Sequence, residues 1–483
     1  MRFVFKVKGL TNNSLLVRVL PMLLAAMFLR VCPLVLHAQE QEQPSNQQEA
    51  QQENTSDSHD PETFFNHPDR RYWVSGQINV IFQANPPFDA AYSGKNSFRN
   101  SYQKATSRVM TLFTGLKLND STELLADVEE TGGRGLSDAL GLAGFVNLDV
   151  VRNPDLGPAP YLARAMVHKV FALSKDKVEV DRGPLSGFSE LPARRIEIRF
   201  GKFSMADFFD LNTVGTDSHF QFMNWTIDNN GAWDYAADTR GYTVGAIVAY
   251  EGRGWGLHFA EALMPTVANG IDLQWNLRKA RAENVEFILH RGFLPRREGI
   301  LRLLAYNNAA NMGIYRVQNQ LFLQGLTPTP EITAHPLQVT GKYGFGFNFE
   351  QEINSWMSAY GRFGWNNGKT ESYAYTEVDQ SVQLGLGVYG NRWNRKYDRA
   401  GVAFVSNAIK RDHQQYLALG GLGFLLGDGG LTYGRETIFE SYYTAHVWKG
   451  LYLGPDFQHV NNPGYNKVRG PVFVGGLRVH FEF

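Results

Sequence analysis

Glu123, Asp127 and Glu129 are spaced by multiples of two. So are Arg164 and His168, and so are Arg195, Glu197 and Arg199. In an extended strand such a spacing puts side chains on one face. Ile196, Ile198 and Phe200 fall on the opposite face from the last set. Three consecutive strands would therefore build one wall carrying both signs of charge. Facing water, fixed opposite charges create a transverse field and a row of hydrogen-bonding points. A neutral polyol can exchange water for those bonds one group at a time. A phosphate-selecting wall would carry mostly one sign. The same charges can also satisfy one another and stiffen the wall, and the pattern alone leaves both readings open.

Ser, His and Asp sets can be picked from the chain, but nothing in the sequence gives them a shared location. The glycine-rich stretch 420–430 has Leu426 where a phosphate-cradling GxGxxG needs its last glycine, and no Lys-Ser/Thr follows a glycine run. There is no HExxH, and the histidines stand singly, as His168, His219, His258, His290, His335, His413, His446, His459 and His480 do. No catalytic residue, metal ligand or cofactor is assigned. A second chemical signal lies at 207–238, where Phe208, Phe209, Phe220, Phe222, Trp225 and Trp233 stand among Asp and Asn. Aromatic faces beside hydrogen-bonding groups suit a sugar ring, with its apolar C–H face and polar edge. Phe220, Phe222, Trp225 and Trp233 are the candidates for stacking, and anchoring the segment is the competing role for each. The apolar run at 131–145 is suited to a short helix folded inward.

The elements that would position these groups are short runs of period two between turn residues. Sixteen can be read: 72–84, 106–118, 121–131, 161–173, 193–204, 240–250, 254–264, 283–292, 298–307, 339–352, 355–365, 380–389, 399–409, 435–447, 450–461 and 470–483. Each meets the roughly 9–11 residues that a strand needs to cross a bilayer. Val382, Leu384, Leu386 and Val388 alternate with Gln383, Gly385, Gly387 and Tyr389. Leu477, Val479, Phe481 and Phe483 alternate with Arg478, His480 and Glu482 at the end of the chain. Connections alternate too. Asn119-Asp120, Ile353-Asn354 and Trp448-Lys449 are tight turns. The stretches 85–105, 132–160, 205–239, 265–282, 308–338 and 410–434 are long. Short turns on one rim and long loops on the other are the pattern of an outer-membrane barrel, with the short side periplasmic. The turn at 174–192 breaks that beat. Tyr and Trp recur near strand ends, as Tyr72-Trp73, Trp255, Tyr306, Trp356, Trp365, Tyr442-Tyr443 and Trp448, where amphipathic rings suit bilayer interfaces.

These features predict an all-β fold: a transmembrane antiparallel barrel of about sixteen strands, with short helical segments in long, inward-folded extracellular loops. Residues 1–38 read as a secretory signal peptide, with a basic start (Arg2, Lys6, Lys8, Arg18) and an apolar middle too short to span a bilayer. Residues 39–70, rich in Gln, Glu and Ser, read as a disordered tether, and 71–483 as the barrel. Without residues 1–38 the chain has 42 basic and 47 acidic residues, a net charge of −5, which gives no footprint for nucleic acid. Its one cysteine, Cys32, leaves with the signal, so no disulfide is expected.

The stretch from Gln415-Tyr416-Leu417 through Gly420-Gly421-Leu422-Gly423-Phe424 to Gly427-Asp428-Gly429 resembles the OprB-type carbohydrate-selective porin family. So do Tyr433-Gly434, Glu440-Ser441-Tyr442-Tyr443, Pro455-Asp456-Phe457-Gln458, Asn461-Asn462-Pro463-Gly464 and Gly475-Gly476-Leu477-Arg478. Upstream, Gly135-Leu136-Ser137-Asp138-Ala139-Leu140-Gly141 and Arg199-Phe200-Gly201-Lys202-Phe203 are similar to it as well. The resemblance implies an outer-membrane porin for passive, saturable diffusion of mono- or disaccharides, embedded in outer-membrane lipid, with no enzyme activity. The remaining readings are a general, anion- or amino-acid-selective porin, a barrel hydrolase and an adhesive surface protein. A homotrimer is common for this architecture, and the sequence shows no interface. The constriction is expected at Glu129, Arg164, Arg195, Glu197 and Arg199, narrowed by 132–160 and 205–239.

Overall fold

The computed structural model describes residues 63–151 and 156–483. The assigned signal and residues 39–62 of the assigned tether lie outside them. The strands are β1 (Tyr72–Asn85), β2 (Gln103–Asn119), β3 (Thr122–Gly133), β4 (Tyr161–Ala172), β5 (Lys177–Glu179), β6 (Glu190–Pro192), β7 (Arg195–Phe203), β8 (Thr243–Glu251), β9 (Trp255–Ala262), β10 (Arg281–Leu289), β11 (Gly299–Asn311), β12 (Val339–Asn354), β13 (Met357–Asn366), β14 (Gln380–Tyr389), β15 (Arg399–Ala408), β16 (Glu436–Trp448), β17 (Leu451–Asn461) and β18 (Val472–Glu482). All but β5 and β6 form one closed antiparallel barrel of sixteen strands, in which β1 pairs β18 and β4 pairs β7. These sixteen are the sixteen period-two runs, with ends shifted by a few residues.

The two faces are reversed relative to a water-soluble sheet. Leu124, Val128, Leu384 and Phe404 are exposed, whereas Asn79, Glu123, Asp127, His168, Gln383 and Arg478 are buried. Leaving a large apolar side chain in water forfeits about 1.5–3 kcal/mol. An outer wall of dozens of such residues is stable only against lipid. The polar row then faces the interior, which in a barrel of this strand number is wide enough for an aqueous channel. Among the described residues no helix is long and apolar enough to cross a membrane.

Two expectations change. The segment 131–145 does not form a regular helix. Ser137, Asp138 and Ala139 have φ near 50–59°, a left-handed turn packed beneath the neighbouring loop. The short helices lie elsewhere, at Trp225–Asp228, Tyr315–Leu323 and Arg411–Ala418. At the other end, residues 63–70 belong to the barrel's rim and not to a tether. The Phe64 backbone N–H donates to Glu482 O at 3.0 Å, and the Phe64 ring meets Trp448 and Phe481 at 5.6 Å. The long turn between β4 and β7 contains the β5–β6 hairpin.

Candidate functional site

The loop joining β7 to β8, residues 204–242, enters the barrel and follows its inner wall. Arg362, on the inward face of β13, anchors it. This guanidinium donates to Asp210 O (3.0 Å), Ile227 O (3.0 Å), Asp228 O (2.9 Å) and Thr216 Oγ1, and pairs with the Asp210 carboxylate at 3.0 Å. Further round, Glu440 accepts the backbone N–H of Asn224 at 3.2 Å, and Arg478 donates to Gln221 O at 2.8 Å. Glycines make room where the loop comes closest. A Cβ on Gly364 would overlap the Asn230 amide. The loop at 134–160 joins the first one. Trp225 N donates to Phe145 O, Leu148 N to Met223 O, and Glu436 accepts from Gly144 N at 2.7 Å.

Most of this inserted loop is buried, though Leu211 and Thr213 are exposed. Thr216, Asp217, Ser218, His219 and Phe220 stay half-exposed at its tip. His219 lies 3.4 Å from the Asp149 carboxylate and stacks on His480 at 5.7 Å. Burial alone would depress the imidazole, but Asp149 outweighs it and raises His219 to about 9. Burial likewise opposes ionisation of Asp149, and the His219 cation holds that carboxyl below its usual value. Deeper in the loop, burial lifts the Asp228 carboxyl to about 8.

The charged wall read from the sequence is assembled on β3, β4 and β7. Glu197 sits at its centre. It accepts from Arg195 Nε at 2.6 Å, pairs with Arg199 at 2.7 Å, and meets His168 Nε2 at 2.9 Å. The other ring nitrogen of His168 meets Glu123 at 2.7 Å. Arg164 forms a two-pronged pair with Asp207 of the inserted loop (2.7 Å for each bond) and reaches Asp127 at 3.2 Å. Glu129 accepts from Thr111 Oγ1 at 3.0 Å and from the hydroxyls of Tyr242 and Tyr161. Arg164, Arg195 and Arg199 are half-buried, but Glu123, Asp127 and His168 are fully covered. These last three brace the wall and do not face open water.

The aromatic candidates divide in the same way. Trp225 donates its indole N–H to Asn147 O at 2.8 Å and stacks on Tyr375. Trp233 donates to Asn284 Oδ1 at 3.0 Å. Phe222 packs edge-on against Tyr442 at 4.8 Å. All three are buried and anchor the loop. Only Phe220 retains access, between His480 and Tyr452. The sequence reading missed Asp207, Asp217, His219 and Arg399. Arg399 opens β15 on its inward face and lies 5.5 Å over the Phe220 ring. The alternation of its own strand would have found it. Asp207 was marked by the Ser204-Met205-Ala206-Asp207 spacing of a helix start, and it accepts the Ser204 N–H at 3.2 Å. Among the described residues no cluster of three or more His, Cys, Asp or Glu could hold a metal ion.

A family model described as "Carbohydrate-selective porin, OprB family" matches residues 95–483. Among solved structures, the high-pH structure of Pseudomonas putida OprB aligns with a TM-score of 0.62 at 17% identity, covering 85% of this chain and 94% of that one. The outer membrane channel DcaP of Acinetobacter baumannii aligns with a TM-score of 0.47 at 10% identity, covering 85% and 97%. No curated protein matches the sequence.

Proposed function

Since this chain belongs to the OprB family of carbohydrate-selective porins, an outer-membrane family of channels, we propose that its lumen passes mono- and disaccharides passively and saturably. The observation that carries this is the compensated wall at the constriction. Glu197 lies among Arg195, Arg199 and His168, and Arg164 lies between Asp127 and Asp207. A wall of paired charges has little net field to attract an ion. Its hydrogen-bonding groups remain for a neutral polyol, and they bind it weakly enough for it to leave. The proposed constriction is Glu129, Arg164, Arg195, Glu197 and Arg199 on the wall, faced by Asp207 and the half-exposed tip at 216–220. Phe220 is the one loop aromatic whose access supports stacking on a sugar. The barrel works without chemical turnover, in contact with outer-membrane lipid along its apolar belt, as a monomer or a homotrimer.

One observation favours the runner-up. Arg399 has no carboxylate partner among the described residues, and an uncompensated cation in the lumen draws anions. Swelling of liposomes containing the purified barrel decides between them. A sugar porin swells faster in glucose than in a neutral amino acid of similar size. Equal rates mean a general pore, and a preference for organic anions over both means an anion pore.

A further inference from the structure

We propose that the pore has a second constriction at its periplasmic exit, made by the turn between β4 and β7 together with residues 63–70. This rests on reading the barrel as a solute channel. The other turns on that rim have two residues (β2–β3, β12–β13 and β16–β17), three (β8–β9) or nine (β10–β11 and β14–β15). The β4–β7 connection runs from 173 to 194, and ordering each extra residue costs backbone entropy. A barrel does not need that outlay to join two adjacent strands.

The connection does not hang below the rim. It turns into the mouth. Gly187 N donates to Glu123 Oε2 at 2.8 Å, Ser186 Oγ donates to Glu123 Oε1 at 2.9 Å, and the Phe188 ring meets His168 edge-on at 5.7 Å. A Cβ on Gly187 would lie 3.1 Å from Glu123 Oε2 and 3.7 Å from Lys117 Cγ. Lys117, Glu123 and His168 all stand on the inward faces of β2, β3 and β4. The tip of the turn therefore lies on the lumen side of these strands, and it is the reason Glu123 and His168 are inaccessible. Val170, Phe188 and Leu191 form a small apolar core of their own that holds the hairpin in place.

Residues 63–70 complete the cover. The His67 ring stacks on inward-facing Trp73 at 4.5 Å. Asp69 accepts from Lys117 Nζ at 2.6 Å and from Ser189 Oγ at 2.7 Å. Arg182 rivets the two pieces together. It donates to the carbonyls of Pro68 (2.7 Å), Arg70 (3.2 Å), His67 (3.3 Å) and Gly187 (3.0 Å), and lies over the Trp73 ring at 5.4 Å. The inner faces of β1–β4 are thus covered at the periplasmic end, while the inserted loop 204–242 is pinned chiefly along β10–β18. The inserted loop and the exit cover stand one after the other along the pore, so a solute passing the first still meets the second. The exit then acts as a second filter on solute size.

The test compares the full barrel with a variant in which residues 176–192 are replaced by Asn-Gly, in planar bilayers and in liposomes. Conductance should rise about twofold, and the swelling rate in a disaccharide relative to glucose about threefold, as expected when a constriction in series is removed. Unchanged conductance and an unchanged ratio, in a barrel that keeps its heat-modifiable gel mobility, would overturn the proposal. If the shortened variant does not fold, Arg182→Ala decides. A smaller rise in both quantities supports the exit filter, and wild-type values refute it. Glucose against a neutral amino acid, measured in the same wild-type vesicles, reports on the sugar-porin reading separately.

Discussion

The aromatic ring of Phe483, the last residue, lies directly on Gly76, and the two backbones exchange both hydrogen bonds, Gly76 N to Phe483 O at 2.8 Å and Phe483 N to Gly76 O at 2.9 Å. This pair continues the β1–β18 ladder past Glu482 and locks the seam where the two ends of the barrel meet. A Cβ at Gly76 would overlap the ring. Gly76→Val should therefore cost about 1–3 kcal/mol, the usual penalty for overfilling a packed site. Phe483→Ala in the same background should recover part of it by emptying the space. Urea unfolding followed by gel mobility measures both. Full stability in Gly76→Val would mean the seam does not depend on this contact.

Arg362 makes a different prediction, about the loop and not the wall. Its guanidinium holds three backbone carbonyls of the inserted loop, those of Asp210, Ile227 and Asp228, and neutralises Asp210, both side chains being buried. Breaking a buried pair by removing one partner typically costs about 3–5 kcal/mol. In Arg362→Ala that cost falls on the loop's attachment, since the barrel ladders are untouched. The expected result is a folded barrel with raised, noisier single-channel conductance and faster swelling in a disaccharide. A quiet channel of unchanged conductance would show that the loop's other anchors suffice.

The barrel was legible because its physics is local. Alternation such as Val382, Gln383, Leu384, Gly385 fixes both the element and the face, whatever lies elsewhere in the chain. The charged wall was legible for the same reason, and Arg399 would have been had its strand been read residue by residue. What was not legible depends on contacts far apart in sequence. Phe222, Trp225 and Trp233 have the right chemistry for a sugar and the right chemistry for packing, and only Tyr442, Tyr375 and Asn284 decide which. Glu123 reads as a pore residue on its strand, and becomes a bracing one because Ser186 and Gly187 return to cover it. The rim segment at 63–70 was hidden by the polar composition before it, although Phe64 and Phe65 mark the change.

Charge reversal tests the proposed constriction. Arg195 and Arg199 flank Glu197 at 2.6 and 2.7 Å and keep the wall compensated. Arg195→Glu with Arg199→Glu would leave the Glu197 region strongly negative. Under a tenfold KCl gradient the reversal potential should move toward cation selectivity by on the order of 10 mV, most clearly at 0.1 M salt or below, where the Debye length is about 10 Å. The double variant with Arg195→Gln and Arg199→Gln should move it less. Identical reversal potentials in all three proteins would remove these arginines from the conduction path.

The tip of the inserted loop should be sensitive to alkali. His219 is raised to about 9 because the Asp149 carboxylate at 3.4 Å outweighs the burial that would depress it, with Asp217 and Glu129 adding to the attraction. An imidazole raised above its unfolded value near 6.5 contributes its stabilisation in full below that pH, and loses it as pH rises through about 9. Neighbouring His480 stacks on the ring without supplying a countercharge. Between pH 8 and 10, therefore, the link from the tip to Asp149 on the 134–160 loop should weaken while the barrel stays intact. Single-channel recordings should show open-channel noise growing across that window, with unchanged gel mobility. His219→Gln should be noisy at every pH, and Asp149→Asn should shift the onset to lower pH by removing the carboxylate that holds the proton. Flat noise from pH 7 to 10 in the wild-type channel would show that the tip is held by Arg478 to Ser218 and by Thr444 to Phe220, and that the His219–Asp149 pair is dispensable.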